Sequence, residues 1–344
     1  MRAMILAAGY GTRLWPLTLD RAKPALPFMG RPLVGYVAEY LARYGCREII
    51  VNLHHRPTSV RAALGDGSMF GVELSYVEEP DILGTSGALD NARAFLEGDT
   101  FVVVNGKIAT DLDLREALAT HRRERALATL VLRRNTERER YSTVHTEDGL
   151  VKSFGGYPAP SPPASDNAGS APRTSQQEEE QQREDAPLMF TGIQILEPRI
   201  FSYIPRDKPS DSVPHVYIPA IARGERIAAH VGSGMWHELS TIRRYLDISL
   251  TLLRQQGRDV DTYADAFIEP GADVRDAILW ENARVESGAH VRRAVLGAGV
   301  SIGRGEVIED AAVVRAELVA GSERPEKALY GEFRGANFVV PLAQ

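Results

Sequence analysis

Three basic side chains, Arg13, Lys23 and Lys107, stand where this chain could do chemistry on phosphate. Two of them follow the loop Ala8-Gly9-Tyr10-Gly11-Thr12: Arg13 directly, and Lys23 within Ala22-Lys23-Pro24. Glycines at two loop positions let backbone N–H groups close on phosphate oxygens or a base edge. Two cations converging on such a loop suit a triphosphate, whose charge must be offset while a phosphorus is attacked. The loop lacks both the third glycine of the dinucleotide fingerprint and the Gly-Lys-Ser/Thr of a P-loop. Lys107 ends "FVVVNGK", where three valines make a buried strand and Asn105-Gly106 turns it. Open α/β sheets bind ligands at the carboxyl ends of their strands, so this lysine belongs to a site and not to solvent.

Positioning these groups needs a sheet, and the first half alternates strand and helix. "RAMILAA" is a short apolar strand that opens the glycine turn. "PLVGYVAEYLARYG" puts Leu33, Val37, Tyr40, Leu41 and Tyr44 on one helical face and stops at Gly45. "EIIVNLH", "GVELSYVEE", "TFVVVNG" and "ATLVLRR" read as strands; "SVRAALG", "TSGALDNARAFLEG" and "DLREALATHRRERA" read as helices. Strands separated by helical patterns imply βαβ units, hence an α/β fold with a Rossmann-like, mostly parallel sheet. Residues 157–187, rich in Pro, Ser, Gln and Glu with little to bury, read as a disordered insertion within a first domain of residues 1–258. "LMFTGIQIL" resumes the strands, and "STIRRYLDISLTLLRQQ" is an amphipathic helix.

A repeat follows. "IEPGADVRDAIL", "VESGAHVRRAVL" and "IGRGEVIEDAAV" superpose at a period of 17, with aliphatics at Ile268/Val274, Val285/Val291 and Ile302/Ile308 and glycine at Gly271, Gly288 and Gly305. Three short strands per turn, each sending a small aliphatic inward, describe a β-helix over residues 262–320, with 321–344 as a tail. Such coils suggest stacking and a homo-oligomer. An acyltransferase is the alternative, for which His290 is the histidine available as base.

A net charge of -6 gives no support for a nucleic-acid partner. Cys46 is the single cysteine, so neither an intramolecular disulfide nor a multi-cysteine metal site can form, and a reducing cytoplasm is expected. The chain has no apolar run long enough to suggest a membrane span.

The segment "LAAGYGTRLWPLT…AKPALPFMGRPLV" resembles the signature of the sugar-1-phosphate nucleotidylyltransferases, or NDP-sugar pyrophosphorylases, in its mannose-1-phosphate guanylyltransferase-like form. The similarity runs on through "EPDILGTSGAL", "VVVNGK", "LMFTGIQIL" and "GMWHELSTIRRYL" to C-terminal coils of left-handed β-helix type, leaving out the insertion. The resemblance implies the partners NTP and sugar 1-phosphate. A sugar-phosphate oxygen attacks the α-phosphorus and pyrophosphate leaves, which asks the protein for positioning and electrostatics. It implies that Arg13 binds the β- and γ-phosphates and that Lys23 neutralises charge at the α-phosphate. It places the nucleoside on Leu6, Ala7, Ala8, Gly9, Gly11 and Thr12, with Gly84 and Thr85 opposite, and the sugar at Ser142, Phe190, Thr191 and Gly192. Glu79 falls where relatives contact the base; a carboxylate only accepts, which matches the two donors on the guanine edge and favours GTP.

The pattern breaks where the family binds Mg²⁺. The strand-end aspartate that ligates the ion is replaced by Lys107, and the second ligand, an aspartate in the family, is Glu238 in "WHELST". The family's Tyr-Gly and Glu-Lys-Pro sugar contacts have become Tyr141-Ser142 and Gly156-Tyr157-Pro158. An ammonium cannot ligate a cation. Either Lys107 takes over part of the ion's electrostatic work, with Mg²⁺ arriving on the NTP and held by Glu238 alone or with Asp111, or the chain is a nucleotide-sugar-binding regulatory paralogue in which Lys107 plugs an incomplete metal site.

Overall fold

The computed structural model describes residues 1–137, 139–155 and 185–343. The insertion read at 157–187 lies outside these residues up to 184. Its end is part of the fold: Ala186 is buried, and the carbonyls of Ala186 and Pro187 accept from Arg134 and Asn135.

The chain opens with β1 (Ala3–Leu6), α1 (Leu33–Arg43), β2 (Glu48–Leu53), β3 (Glu73–Glu78) and α2 (Gly84–Asn91). β4 (Phe101–Asn105), β5 (Ile108–Thr110), α3 (Leu114–Glu124), β6 (Ala128–Arg134), β7 (Thr143–Glu147) and β8 (Leu150–Gly155) follow. Then come β9 (Leu188–Leu196), β10 (Ile227–Val231), β11 (Trp236–Glu238) and α4 (Ile242–Gln255). α3 begins where the Asp113 carboxylate accepts the N–H of Arg115, and α4 where the Thr241 hydroxyl accepts that of Arg244, both N-caps of expected type. β1, β2 and β4 are mostly apolar and buried along their length, whereas the edge strand β3 is half polar and largely open.

The main sheet has the order β3-β2-β1-β4-β9-β6-β10-β8-β7. β1, β2, β3 and β4 are parallel, as is the β6–β10 pair, but β9 runs antiparallel to both β4 and β6, and β8 antiparallel to β10 and β7. The sheet is therefore mixed, not mostly parallel. The reason is connectivity: parallel neighbours need a crossover, and the described segments joining β6, β7 and β8 carry no helix.

After α4 the strands β12 (Val260–Thr262), β13 (Asp273–Leu279), β14 (His290–Leu296) and β15 (Val307–Arg315) stack in parallel. Val274 stands beside Val291 and Val291 beside Ile308, an offset of 17 at each step, matching the repeat. The long strands bend at Asp276, Arg293 and Asp310, each at φ 45–50°, so each divides into two. These bends form a charge ladder: Arg293 binds Asp310 at 2.8 Å and Asp247 of α4 at 2.7 Å, and Arg254 of α4 binds Asp276 at 2.7 Å. The residues read as a tail belong to this unit, since β16 (Asn337–Pro341) pairs antiparallel with β15. That pairing covers an edge that would otherwise stay open.

The two parts share one core. Leu14, Trp15, Leu17, Leu26 and Phe28 of the first join Trp280, Val295, Phe338 and Val340 of the second, with Tyr245 of α4 between them. Trp280, 1% exposed, donates its indole N–H to the Tyr245 hydroxyl at 3.1 Å, and that hydroxyl donates to the Pro27 carbonyl. Removing a large aromatic from such a core leaves a cavity as well as the lost burial. Trp280→Ala is expected to destabilise the protein by about 3–5 kcal/mol in chemical denaturation; a loss below about 1 kcal/mol would show that the two parts are not energetically joined there.

Candidate functional site

At the carboxyl ends of β1, β2 and β4 lies a cavity of about 230 Å³. Leu6, Ala7, Ala8 and Gly9 form one wall, Glu79, Gly84 and Thr85 another, and Lys23, Asn105 and Lys107 the mouth. A larger cavity of about 460 Å³ opens elsewhere, lined in part by Thr100, His121, Arg122, Arg125, Glu197 and Arg199. It sits at the amino end of β4, and its Glu197 carboxylate already binds His121 Nε2 at 3.0 Å and the Thr100 hydroxyl at 2.7 Å. Chemistry is assigned to the smaller one, where the glycine loop and two lysines meet.

The loop is open in the sense its sequence requires. Among the described residues, none of the backbone N–H groups of Gly9, Tyr10, Gly11, Thr12 and Arg13 donates to another group of the protein. A Cβ at Gly11, whose φ is +68°, would stand 3.0 Å from the Cβ of Lys23, so loop and lysine are packed together. Gly11, Thr12 and Arg13 lie beyond the cavity wall. Arg13 is exposed, yet near enough for its charge to bear on Lys23.

Lys23 is pulled down from 10.5 to about 8. Burial does most of this; the charge of Lys107 adds to it and Glu238 opposes it, with Arg13 contributing least. Between about pH 8 and 10.5 the folded chain therefore holds fewer protons at Lys23 than the unfolded one. The penalty of burying this charge is present below about pH 8 and is relieved as pH rises through that window.

Lys107 does not face open solvent. It immediately precedes β5, which pairs antiparallel with β11 in a ribbon whose register sets Ile108 opposite Glu238. Lys107 Nζ donates to Glu238 Oε1 at 2.7 Å, and the side chains are 32% and 8% exposed. Burial pushes the Glu238 carboxyl up, but the charge and hydrogen bond of Lys107, the Tyr141 hydroxyl and the charge of Lys23 together hold it below its ordinary value. Burial and the neighbouring Glu238 charge push the Tyr141 hydroxyl far up, so it remains a donor.

Asp111 cannot join Glu238 on one ion. It lies at the other end of the ribbon, where its carboxylate accepts the N–H of Met235 at 2.6 Å, three residues or about 10 Å of strand away. Among the described residues no three His, Cys, Asp or Glu side chains gather to hold a metal.

Other expectations need correcting. The Thr85 N–H is already donated to Asp211 Oδ1 at 3.1 Å, and the N–H groups of Ser86 and Gly87 to the Ser210 carbonyl at 2.9 and 3.1 Å. The segment carrying Ser210 approaches so closely that a Cβ at Gly84, φ +75°, would meet its carbonyl oxygen at 2.6 Å. Gly84 and Thr85 thus line the cavity, but the Thr85 N–H is not available to a nucleoside. Ala7 N–H is likewise taken, by Asn52 Oδ1 at 2.7 Å. Thr191 is buried and its hydroxyl donates to the Val131 carbonyl at 2.7 Å, which turns it into the sheet and away from any sugar. Gly192 follows it in a bulge of β9 between Phe190 and Ile193, and Ser142 is exposed beside Tyr141. Tyr157 and Pro158 lie outside the described residues, as does Gly156. His290 is exposed on the coils beside Asp273 and away from the cavity. Asn52 and Asn105 were missed; each is a polar residue directly after an apolar run near the carboxyl end of its strand, and that was the signal available.

A family model described as Nucleotidyl transferase matches residues 2–255. The chain is 29% identical over 257 residues to a mannose-1-phosphate guanylyltransferase of Mycobacterium tuberculosis, covering 73% of this chain and 64% of that protein's length. It is 32% identical over 251 residues to an N-acetylmuramate alpha-1-phosphate uridylyltransferase of Neisseria meningitidis serogroup B, covering 71% of this chain and 95% of the relative. A crystal structure of a putative glucose-1-phosphate thymidylyltransferase from Bacillus anthracis has the same fold at a TM-score of 0.57 and 23% identity, covering 76% of this chain and 96% of that one.

An anion beside Lys23 favours its charged form, so binding should take up a proton. Tripolyphosphate is expected to bind most tightly below pH 8 and to weaken as pH rises through about 8. Calorimetry in two buffers of different ionisation enthalpy should detect the proton, and Lys23→Met should remove both effects. An affinity that is flat from pH 7 to 9.5 (roughly the window in which such a lysine titrates) would exclude Lys23 from the site.

Proposed function

The chain belongs to the nucleotidyl transferase family, and from that premise we propose that it transfers a nucleotidyl group from an NTP to a sugar 1-phosphate, giving an NDP-sugar and pyrophosphate. The observation that carries this reading is the meeting of Lys23 and Lys107 at one cavity whose wall includes Gly9, the first of five successive loop residues with N–H groups left unpartnered among the described residues. Such a site suits a polyphosphate. In the proposed reaction a sugar-phosphate oxygen forms a bond to the α-phosphorus, and the α–β bridging bond breaks. Pyrophosphate then leaves with the electron pair. Arg13 meets the β- and γ-phosphates and the departing pyrophosphate, while Lys23 offsets charge at the α-phosphate. Leu6 to Gly9 hold the nucleoside, and Ser142, Phe190 and Gly192 flank the sugar.

GTP is the proposed donor. Glu79 is buried at the cavity wall, with one oxygen taken by Asn52 at 2.7 Å and the other by the N–H of Leu83 at 3.0 Å. Each carboxylate oxygen keeps a lone pair, enough to accept the two donors on the guanine edge. The residues present do not fit the family's Mg²⁺ site, because Glu238 is paired to an ammonium and Asp111 is out of reach. Lys107 therefore supplies the charge that the ion would bring to the phosphates.

The completeness of the Lys107–Glu238–Tyr141 cluster also favours a second reading, a regulatory nucleotide-sugar-binding protein in which Lys107 is a plug. For the C-terminal coils we propose a left-handed β-helix that builds a homo-oligomer. Among the described residues no helix is long and apolar enough to cross a membrane. The free, buried Cys46 is in keeping with a cytoplasmic protein.

Pyrophosphate release should be followed for each NTP against a panel of sugar 1-phosphates, with GTP expected to be fastest. Lys107→Met should lower turnover about 10²-fold, as loss of a charge that stabilises the transition state does. Lys107→Asp should create a Mn²⁺ site, visible by paramagnetic titration, that the wild-type protein lacks. Equal Mn²⁺ affinity in the two proteins would sink the charge substitution. Absence of turnover with every pair, together with saturable NDP-sugar binding, would decide for the regulatory reading.

A further inference from the structure

The glycine loop touches β2 at two points, and both connections lead to Glu79. Asn52 of β2 and His54, the residue just past its end, make them. Asn52 Oδ1 accepts the N–H of Ala7 at 2.7 Å, and its Nδ2 donates to Glu79 Oε1 at 2.7 Å. His54 Nδ1 lies 2.8 Å from the Glu79 carbonyl oxygen. A carbonyl can only accept, so the proton sits on Nδ1, and Nε2 is left to accept the Tyr10 hydroxyl at 3.1 Å. The Tyr10 ring stands edge-on to His54 as well, with centroids 5.2 Å apart.

The hydrogen bonds close into a ring: Ala7 to Asn52 to the Glu79 carboxylate, and the Glu79 carbonyl to His54 to Tyr10, three residues along the loop from Ala7. Between these anchors lies Gly9, and from Gly9 to Arg13 the backbone donors are free among the described residues. A loop with so few internal bonds would otherwise lose conformational freedom each time it closed on an anion. Glu79 is held at every polar atom, since its N–H also donates to the Leu53 carbonyl at 2.8 Å and its Oε2 accepts from Leu83. Asn52 and Glu79 are 3% exposed, so their half of the ring is a buried network in which each of these polar atoms has a partner, of the kind that fixes one geometry.

We propose that Asn52 and His54 are positioning residues, which bolt the phosphate-gripping loop to the base-reading acid and so set nucleotide affinity and base preference together. The inference rests on the reading of this cavity as the nucleotide site. It assigns to β2, which contributes no cation, control over the distance between the loop and Glu79. An untethered loop still binds phosphate, but no longer at a fixed distance from the base edge.

The test uses full-length protein, a fluorescent GTP analogue for equilibrium binding, and steady-state turnover with GTP and UTP. Tyr10→Phe changes one exposed hydroxyl, and His54→Asn keeps a donor for the Glu79 carbonyl while releasing Tyr10. Each should raise Kd and KM for GTP about three- to tenfold with kcat within about twofold, and the double variant should be no worse than either, because both break one bond. Asn52→Asp keeps an acceptor for Ala7 but opposes Glu79 with a second carboxylate, and should narrow the GTP-over-UTP ratio. Unchanged KM in both rim variants, or additive losses in the double, would overturn the tether while leaving the site intact. A wild-type protein that binds no nucleotide would overturn the site reading and this inference with it.

Discussion

The Lys107–Glu238 pair is the contact from which the electrostatics of this protein follow. Glu238 is almost wholly buried beside a cavity lined with cations, on a ribbon too short to swing it elsewhere. Two like charges about 4 Å apart repel by about 4 kcal/mol at a dielectric suited to a protein surface, and opposite charges gain as much. With an aspartate at 107, in the family pattern, the ribbon would carry that repulsion until a cation arrived. With lysine, the same two positions attract and the site is stable empty. The substitution therefore alters more than a ligand list: it removes the electrostatic demand for a divalent ion at that spot. What remains near the cavity is one ammonium on the ribbon, a second at Lys23, and the guanidinium of Arg13 beyond its wall.

That arrangement has a consequence for Lys23. Packed against the glycine loop and within the field of Lys107, it is held near neutrality at mildly alkaline pH. The three cations repel one another, and Glu238 answers only part of that repulsion. A polyanion bound there would relieve that repulsion, so the proposed preference for polyphosphate follows from charge.

Much of this was legible in the sequence, because the signals were local. The glycine loop and Lys107 each sit at a strand end that its flanking residues announce, Lys23 stands in a motif of its own, and Lys107 and Glu238 were marked by two motifs departing together. Strand direction was less visible: alternation of strand and helix implies parallel pairing, and the warning lay in the missing helices around β7 and β8. β16 was read as tail although Phe338, Val340 and Leu342 recur at the strand period and are buried. Asn52 and His54 were not legible as site residues. Their significance depends on β2 lying against β1 with Asn52 in register with Leu6, a fact of pairing and not of spacing.

The C-terminal coils also enter the site, though they supply none of its side chains. The residues between Arg13 and Lys23 are not a free loop: Leu14, Trp15 and Leu17 are buried in the core shared with Trp280 and Phe338, and Trp15 meets Phe338 edge-on at 5.6 Å. Arg21, two residues before Lys23, binds Glu281 through two hydrogen bonds of 2.8 and 3.1 Å and lies 4.8 Å from the centre of the Trp280 ring. Both ends of this segment are therefore fixed to the coil stack, while Lys23 at its far limit lines the cavity. A cation placed on a flexible loop would sample many distances from a phosphate. Here the packing of a second structural unit removes that freedom, so the stack acts on the chemistry through position alone, whatever it also does in assembly.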